Sequence, residues 1–322
     1  VIVVGGNHDS PSRLDAPAEL LSALSVHVVG GISGLEDARA RCLVPLRNRS
    51  GETCAVALAV PYVHEFRLGV RTTDADAGTV RGAFRARFGQ LYTDLVDLAQ
   101  ARWPGLPLLA TGHLTMGAAT PEDYPHAIHQ VGTIDSLPDS VLDPRIQYTA
   151  LGHIHRSYPV GPSRRAWYSG SPIALSQHET STPRKVLQVD MDANPAGAAT
   201  VTALHVPAPR ALLRLKGTPA ALVAEASALT WTEPLPPLLF CLALADELPT
   251  DLMGQLHAAL AVHAEAARPV VVELRQALIT PLVALDEGEV IAPLHELSPT
   301  EVFGHLCRAR GQADARAVQQ AF

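Results

Sequence analysis

The sequence predicts an α/β protein: a layered β-sandwich flanked by helices, then a small βαβαβ module and a C-terminal helix. Short apolar runs rich in β-branched residues, such as Val1-Ile2-Val3-Val4, alternate with helical patterns along the chain. Several of these runs lead into polar loops that contain histidine. After Pro209, a strand-helix-strand-helix-strand order fits within about 65 residues, which is typical of a separate small α/β module.

Composition supports a globular protein and limits its partners. The 322 residues are 47% hydrophobic and 18% charged, so the chain can bury a core. The net charge of −7 excludes binding of nucleic acid by bulk charge alone. No run reaches the roughly 18 apolar residues of a membrane span, so we expect a cytoplasmic protein with no membrane partner.

The elements before Pro209 follow from apolar periodicity and from turn residues. The opening run predicts a buried strand, and because such a strand pairs on both edges, we expect further residues upstream of Val1. Pro104 ends the long amphipathic pattern that precedes it. The predicted elements are a helix at 11–24, strands at 41–46 and 54–63, a helix at 80–103, and strands at 107–110, 146–151, 166–168, 186–191 and 200–206.

Pro207-Ala208-Pro209 predicts a domain boundary. We therefore expect a first domain at 1–208 and a small α/β domain at 209–280. The second domain has predicted strands at 212–215, 238–243 and 270–274 and predicted helices at 219–229 and 252–264. The remaining segment, 281–322, contains a predicted helix at 299–310, for which Ser298 or Thr300 is a suitable N-cap.

Three short motifs follow apolar strands and carry the chemistry. They are Asn7-His8-Asp9, Gly112-His113 and Gly152-His153-Ile154-His155. If the three strands end at the same edge of one sheet, imidazole and amide donors converge there, and such donors suit Mn²⁺, Fe²⁺ or Zn²⁺ better than Mg²⁺ or Ca²⁺. Each motif alone is also typical of an ordinary loop histidine. Their order and context together indicate a metal site.

These motifs resemble the later signature motifs of the calcineurin-like metallophosphoesterases, and within that superfamily the SbcD-type nuclease subunits. Tyr168-Ser169-Gly170-Ser171-Pro172-Ile173 extends the resemblance, and the module after Pro209 is similar to the capping domain of that family. The resemblance implies a metallophosphoesterase-type sandwich, a two-metal site with Mn²⁺ as first candidate, and hydrolysis of DNA phosphodiesters. It also implies an SbcC-type coiled-coil ATPase as partner, docked on 281–322, and a homodimer is a further candidate assembly.

The resemblance also implies roles for individual residues. Asn7, His113 and His153 would hold one metal ion, His155 would hold the other, and His8 would stand near the scissile phosphate as the catalytic residue. The family's two earlier motifs, Asp-x-His and Gly-Asp-x-x-Asp, occur nowhere in the chain. Because two close cations repel each other without a bridging carboxylate, we expect this chain to bind at most one metal well and to have little nuclease activity. We expect the intact gene product to be active in DNA repair.

Two other functions remain open. The metal motifs do not select a substrate, so a small-molecule or nucleotide phosphodiesterase of the same superfamily is one alternative. A non-catalytic subunit that binds only the ATPase is the other. For DNA binding we expect a phosphate-facing rim of cationic residues, formed by Arg13, Arg156, Arg164, Arg165, Arg184 and Lys185. The alternative for each of them is an ordinary solvated loop charge.

Overall fold

The computed structural model describes residues 1–70, 77–117, 136–176, 179 and 183–278. The chain forms two compact units, Val1–Ala208 and Pro209–Phe322, and each is described by itself. The predicted segment 281–322 and its helix lie outside the described residues, so its docking role stays a prediction. Within the described ranges, no helix has both the length and the apolar character that crossing a membrane requires.

The first unit is a mixed α/β structure, as predicted. The elements are β1 (Ile2–Val4), α1 (Pro11–Asp15), α2 (Ala18–Ser22), β2 (His27–Val29), α3 (Leu35–Arg41), β3 (Leu43–Arg47), β4 (Thr53–Leu58), α4 (Ala77–Arg102), β5 (Leu108–His113), β6 (Ile146–Gly152), β7 (Tyr158–Val160), β8 (Ala166–Tyr168), β9 (Lys185–Asp190) and β10 (Thr200–His205). The largest sheet has six strands in the order β3-β4-β5-β6-β8-β7, in which β4, β5, β6 and β8 run parallel and the edge strands β3 and β7 run antiparallel to their neighbours. Two smaller sheets pair β1 with β2 in parallel and β9 with β10 antiparallel.

The core of this unit lies between the six-stranded sheet and α4. Apolar residues recur every three or four positions along α4, which places them on one face of the helix. Phe84, Phe88, Leu91 and Leu95 on this face are buried, and they belong to the same apolar cluster as the central strands β4 and β6. The amphipathic pattern therefore predicted the helix, and the structure adds which side it buries.

Two expectations for the start of the chain are wrong. The strand β1 is not fully buried, because it pairs only with β2 among the described residues; Val1 is 79% exposed and Val3 36%. The helix expected at 11–24 is two short helices, since Pro17, which has no N–H to donate, separates α1 from α2. Sequence reasoning also missed α3, whose only buried residue is Ala38.

The second unit has the predicted βαβαβ order. It contains β11 (Arg210–Gly217), α5 (Pro219–Ser227), β12 (Leu235–Leu244), α6 (Leu252–Leu260) and β13 (Val270–Ala277), with the three strands parallel in the order β11-β12-β13. Thr218 caps α5 by accepting a hydrogen bond from the Ala221 N–H. Leu222 on α5 and Leu256 on α6 are completely buried in a core that belongs to this unit. The role of this unit as a capping domain stays a prediction.

Candidate functional site

Two of the three histidine motifs meet because β5 and β6 are parallel neighbours. His113, the last residue of β5, pairs in register with Gly152, the last residue of β6. The parallel register therefore brings His113 and His153 to the same edge of the sheet. Their rings lie with centroids 5.3 Å apart and planes inclined by 65°.

Asn7 reaches this edge from a different sheet. The expectation that all three motifs follow strands of one sheet is therefore wrong, because β1 pairs with β2. A backbone hydrogen bond of 2.8 Å from the Tyr62 N–H to the Gly5 carbonyl joins the turn after β1 to the loop after β4. In this position the Asn7 Oδ1 lies 2.9 Å from His113 Nε2.

The motif glycines make room for the His113 ring. A Cβ atom on Gly6 would lie 2.6 Å from His113 Cε1, and one on Gly152 would lie 2.8 Å from His113 Nδ1. Neither glycine has a positive φ. Their smallness therefore serves close packing.

His113 is the electrostatic centre of the cluster. Burial lowers its pKa to about 4, helped by the neighbouring imidazoles of His153, His8 and His155 and opposed by Asp9. The ring is therefore neutral near pH 7. All the predicted site residues thus lie near one another: Asn7 and His153 contact His113 directly, while His8 and His155 act on it through their charge.

The segment after β6 fixes two histidines around one buried residue. Ile154 is only 2% exposed and belongs to the core. His153 has φ of 92°, a region that residues with a side chain rarely adopt. Such strain persists where the surrounding structure imposes it, and it is concentrated at functional sites.

His155 is bonded to a residue that sequence analysis did not single out. Its Nδ1 lies 2.8 Å from Oε1 of Glu179, which is buried. Burial alone would raise the pKa of Glu179, but hydrogen bonds from His155, the Leu175 N–H and Ser171 outweigh it and lower the pKa to about 2. No spacing rule connects residues that lie 24 positions apart with β7 and β8 between them, so the sequence carries no direct signal for this pair.

The donors present do not amount to a two-metal centre. Two ligand atoms on one ion at about 2.1 Å each lie about 3 Å apart, and the 2.9 Å between Asn7 Oδ1 and His113 Nε2 matches that spacing. Across the described residues, however, no group of three or more His, Cys, Asp or Glu side chains is arranged to hold an ion. The donor set thus fits a partial site for one ion and does not fit a complete pair.

The expected cationic rim needs a correction. Arg184 is 8% exposed and pairs with the buried Glu179 at 3.2 Å, so it does not face a ligand in solvent. Arg156 and Arg164 are exposed, and each guanidinium lies over an aromatic ring, of Tyr158 and Trp167 respectively. Only exposed arginines such as these can contribute to a phosphate-binding surface.

A cavity of about 410 Å³ opens beside Asn7. Its walls include Asp9, Arg41 and Tyr62, so both signs of charge and an aromatic ring face it. Arg41 is held there by Asp15 at 2.6 Å.

No protein-family model matches the chain. It is 32% identical over 271 residues to the SbcD subunit of nuclease SbcCD from Rhodobacter capsulatus, an alignment that covers 81% of this chain and 65% of the relative. It is also 29% identical over 231 residues to the SbcD subunit from Escherichia coli K12, covering 70% of this chain and 54% of the relative. The chain is similar to SbcD nuclease subunits.

A third relative, the SbcD subunit from Bacillus subtilis, is 29% identical over 202 residues, with 62% of this chain and 48% of the relative covered. The chain therefore spans between about half and two thirds of the length of these SbcD relatives.

Proposed function

We propose that this chain is the histidine-bearing part of a metal-dependent DNA nuclease subunit of the SbcD type, with the layered metallophosphoesterase fold. The observation that carries the proposal is the contact of His113 with both Asn7 and His153, in a chain similar to SbcD subunits. The neutral His113 ring supports it, since an imidazole must be unprotonated to bind a metal ion.

In this proposal each predicted residue has one task. Asn7, His113 and His153 would hold one divalent ion and His155 would hold a second, with Mn²⁺ as the first candidate. Two such ions, when bound, neutralise charge on a phosphodiester and lower the pKa of water. His8 is exposed at the edge of the cluster, where it can donate a proton to the leaving oxygen.

The donor set leaves the second ion without a carboxylate. We propose that acidic residues outside these 322 residues complete the centre in a protein of the length of the relatives. The reading frame upstream of Val1 tests this point directly. It should encode Asp-x-His followed by Gly-Asp-x-x-Asp, and a frame without them counts against the proposal.

The test of activity compares this chain with the longer product, by which we mean the protein of the relatives' length that includes the segment upstream of Val1. The longer product should cleave linear duplex DNA with Mn²⁺ and lose cleavage by a factor of 100 or more with His113→Asn, since second-shell changes alone cost about 10–100-fold. His257→Asn, in the second unit, is the matched control and should leave cleavage unchanged. This chain should bind at most one Mn²⁺ tightly, and two tight ions with rapid turnover would refute the proposal.

The cavity beside Asn7 favours a second candidate, a small-molecule or nucleotide phosphodiesterase. Its volume of about 410 Å³ lies within the range of small-ligand sites. Comparing hydrolysis of bis-p-nitrophenyl phosphate, cyclic nucleotides and duplex DNA by the longer product separates the two candidates. Preference for a cyclic nucleotide would select the second.

A partner follows from the name of the relatives, which describes them as one subunit of the nuclease SbcCD. We therefore propose an SbcC-type coiled-coil ATPase as partner and 281–322 as its docking segment. Removal of 281–322 should abolish co-purification with this ATPase. Undiminished co-purification of the shortened chain would place the docking surface elsewhere. If the longer product hydrolyses none of these substrates with Mn²⁺, a non-catalytic subunit is the remaining interpretation.

A further inference from the structure

The side chain of Glu179 holds the imidazole of His155 through a specific ring nitrogen. Glu179 Oε1 lies 2.8 Å from His155 Nδ1, and the carboxylate is 9% exposed. An ionised carboxylate can only accept hydrogen bonds. The contact therefore selects the tautomer that carries hydrogen on Nδ1 and a lone pair on Nε2.

The carboxylate is itself fixed by several donors. Oε1 also accepts from the Ser176 hydroxyl at 3.2 Å. Oε2 accepts from the Ser171 hydroxyl at 3.1 Å, from the Leu175 N–H at 3.2 Å and from Arg184 Nη1 at 3.2 Å. A carboxylate held at both oxygens cannot rotate without breaking several bonds.

The backbone of His155 is held by the same network. Arg184 Nη1 donates to the His155 carbonyl at 3.0 Å, and the Ser171 N–H donates to it at 3.1 Å. Gly170 packs against this carbonyl with φ of 74°, where a Cβ atom would lie 2.6 Å from the oxygen. The ring and the backbone of His155 are therefore both restrained, from one side.

We propose that Glu179 is the positioning residue of His155: its carboxylate orients the ring and fixes the Nδ1–H tautomer, which leaves the lone pair on Nε2. The use of Nε2 as a metal ligand rests on the proposed function, whereas the fixed tautomer does not. Metal-binding histidines commonly donate the other ring N–H to a carboxylate in this way.

A purely structural ion pair between Glu179 and Arg184 is the competing explanation. The chain offers a matched control for it, because Asp143 is also 8% exposed and its Oδ2 pairs with Arg145 at 2.7 Å. Asp143 contacts no histidine among the hydrogen bonds of the described residues. If the loss of a buried carboxylate paired with an arginine is the whole cause, variants of Glu179 and of Asp143 should change the His155 ring to the same extent.

The first experiment measures the tautomer of His155 in the metal-free 322-residue protein. Long-range ¹H–¹⁵N spectra in alkaline buffer, assigned with His155→Asn, should show the Nδ1–H form in the wild type and in Asp143→Leu. Glu179→Met should give a mixture of tautomers. If Glu179→Met does not fold, Glu179→Met combined with Arg184→Met removes both charges together and should give the same mixture.

The second experiment fills the tighter site with one equivalent of diamagnetic Zn²⁺ and then follows broadening of the His155 ring signals by Mn²⁺, because His155 is assigned to the second ion. Half-broadening in Glu179→Met should need about 10–100-fold more Mn²⁺ than in the wild type, with Asp143→Leu unchanged. A retained Nδ1–H tautomer in the Glu179 variants would overturn the inference, as would equal effects in Asp143→Leu. If the Glu179 variants lose the Nδ1–H tautomer but Mn²⁺ does not broaden the His155 signals of the wild type, the positioning role is supported and the proposed metal site is not.

Discussion

Replacement of Gly6 by alanine should displace the His113 ring. The added Cβ would lie 2.6 Å from His113 Cε1, whereas carbon atoms in contact are about 3.5–4.0 Å apart. The ring must move by about 1 Å, and Gly152 lies close against the same ring. We therefore expect Gly6→Ala to lower the free energy of unfolding by about 1–3 kcal/mol, the usual cost of overpacking, and to lengthen the 2.9 Å bond between His113 and Asn7.

Urea unfolding followed by circular dichroism measures the stability change. Gly82→Ala is the matched control, because Gly82 is exposed inside α4 and a Cβ there meets nothing within 4 Å. Alanine is favoured over glycine in a helix by about 0.5–1 kcal/mol, so Gly82→Ala should be stabilising. If Gly6→Ala is as stable as the wild type and its His113 ring signals are unchanged, the close-packing explanation of this glycine is wrong.

Three further predictions concern pH, a buried hydroxyl and the second core. His113 takes up a proton near the ordinary pKa of about 6.5 in the unfolded chain but only near 4 in the folded chain. The free energy of unfolding should therefore fall by up to about 3 kcal/mol as the pH is lowered between these values. His113→Gln should remove this pH dependence, which urea unfolding at several pH values measures. Tyr168→Phe should cost about 1–3 kcal/mol in the same assay, because the Tyr168 hydroxyl accepts from the Met116 N–H at 2.8 Å and donates to the Leu114 carbonyl at 2.6 Å; no loss would mean that water replaces these bonds. Leu256→Ala should destabilise the second unit by about 2–5 kcal/mol, seen by calorimetry as a lower transition temperature for that unit, and an unaltered transition would contradict the burial of Leu256.

Sequence patterns predicted the elements that local periodicity determines. The apolar runs before Gly112-His113 and Gly152-His153 are strands, and α4 begins and ends within a few residues of its predicted limits. The apolar run of a strand and the amphipathic pattern of a helix are both local signals, because each reflects how residues of a single element are buried. The convergence of the histidines follows from the parallel pairing of β5 with β6.

Features that depend on distant contacts could not be predicted in the same way. Arg184 was expected at the surface because arginine usually is, but its pairing with Glu179 places it in the interior. Asn7 joins the cluster through the bond between Tyr62 and Gly5, which connects two sheets that no periodicity links. The exposure of Val3 depends equally on which strands pair with β1.

The buried position of Ile154 between His153 and His155 has an evolutionary consequence. Because one apolar side chain anchors both neighbours, substitutions that loosen the core there also misdirect two imidazoles. Selection for a stable fold and selection for the orientation of the two histidines thus act on the same codon, that of Ile154. Libraries randomised at position 154 should therefore return a narrow set of aliphatic residues whether they are screened for expression or, under the proposed function, for turnover by the longer product.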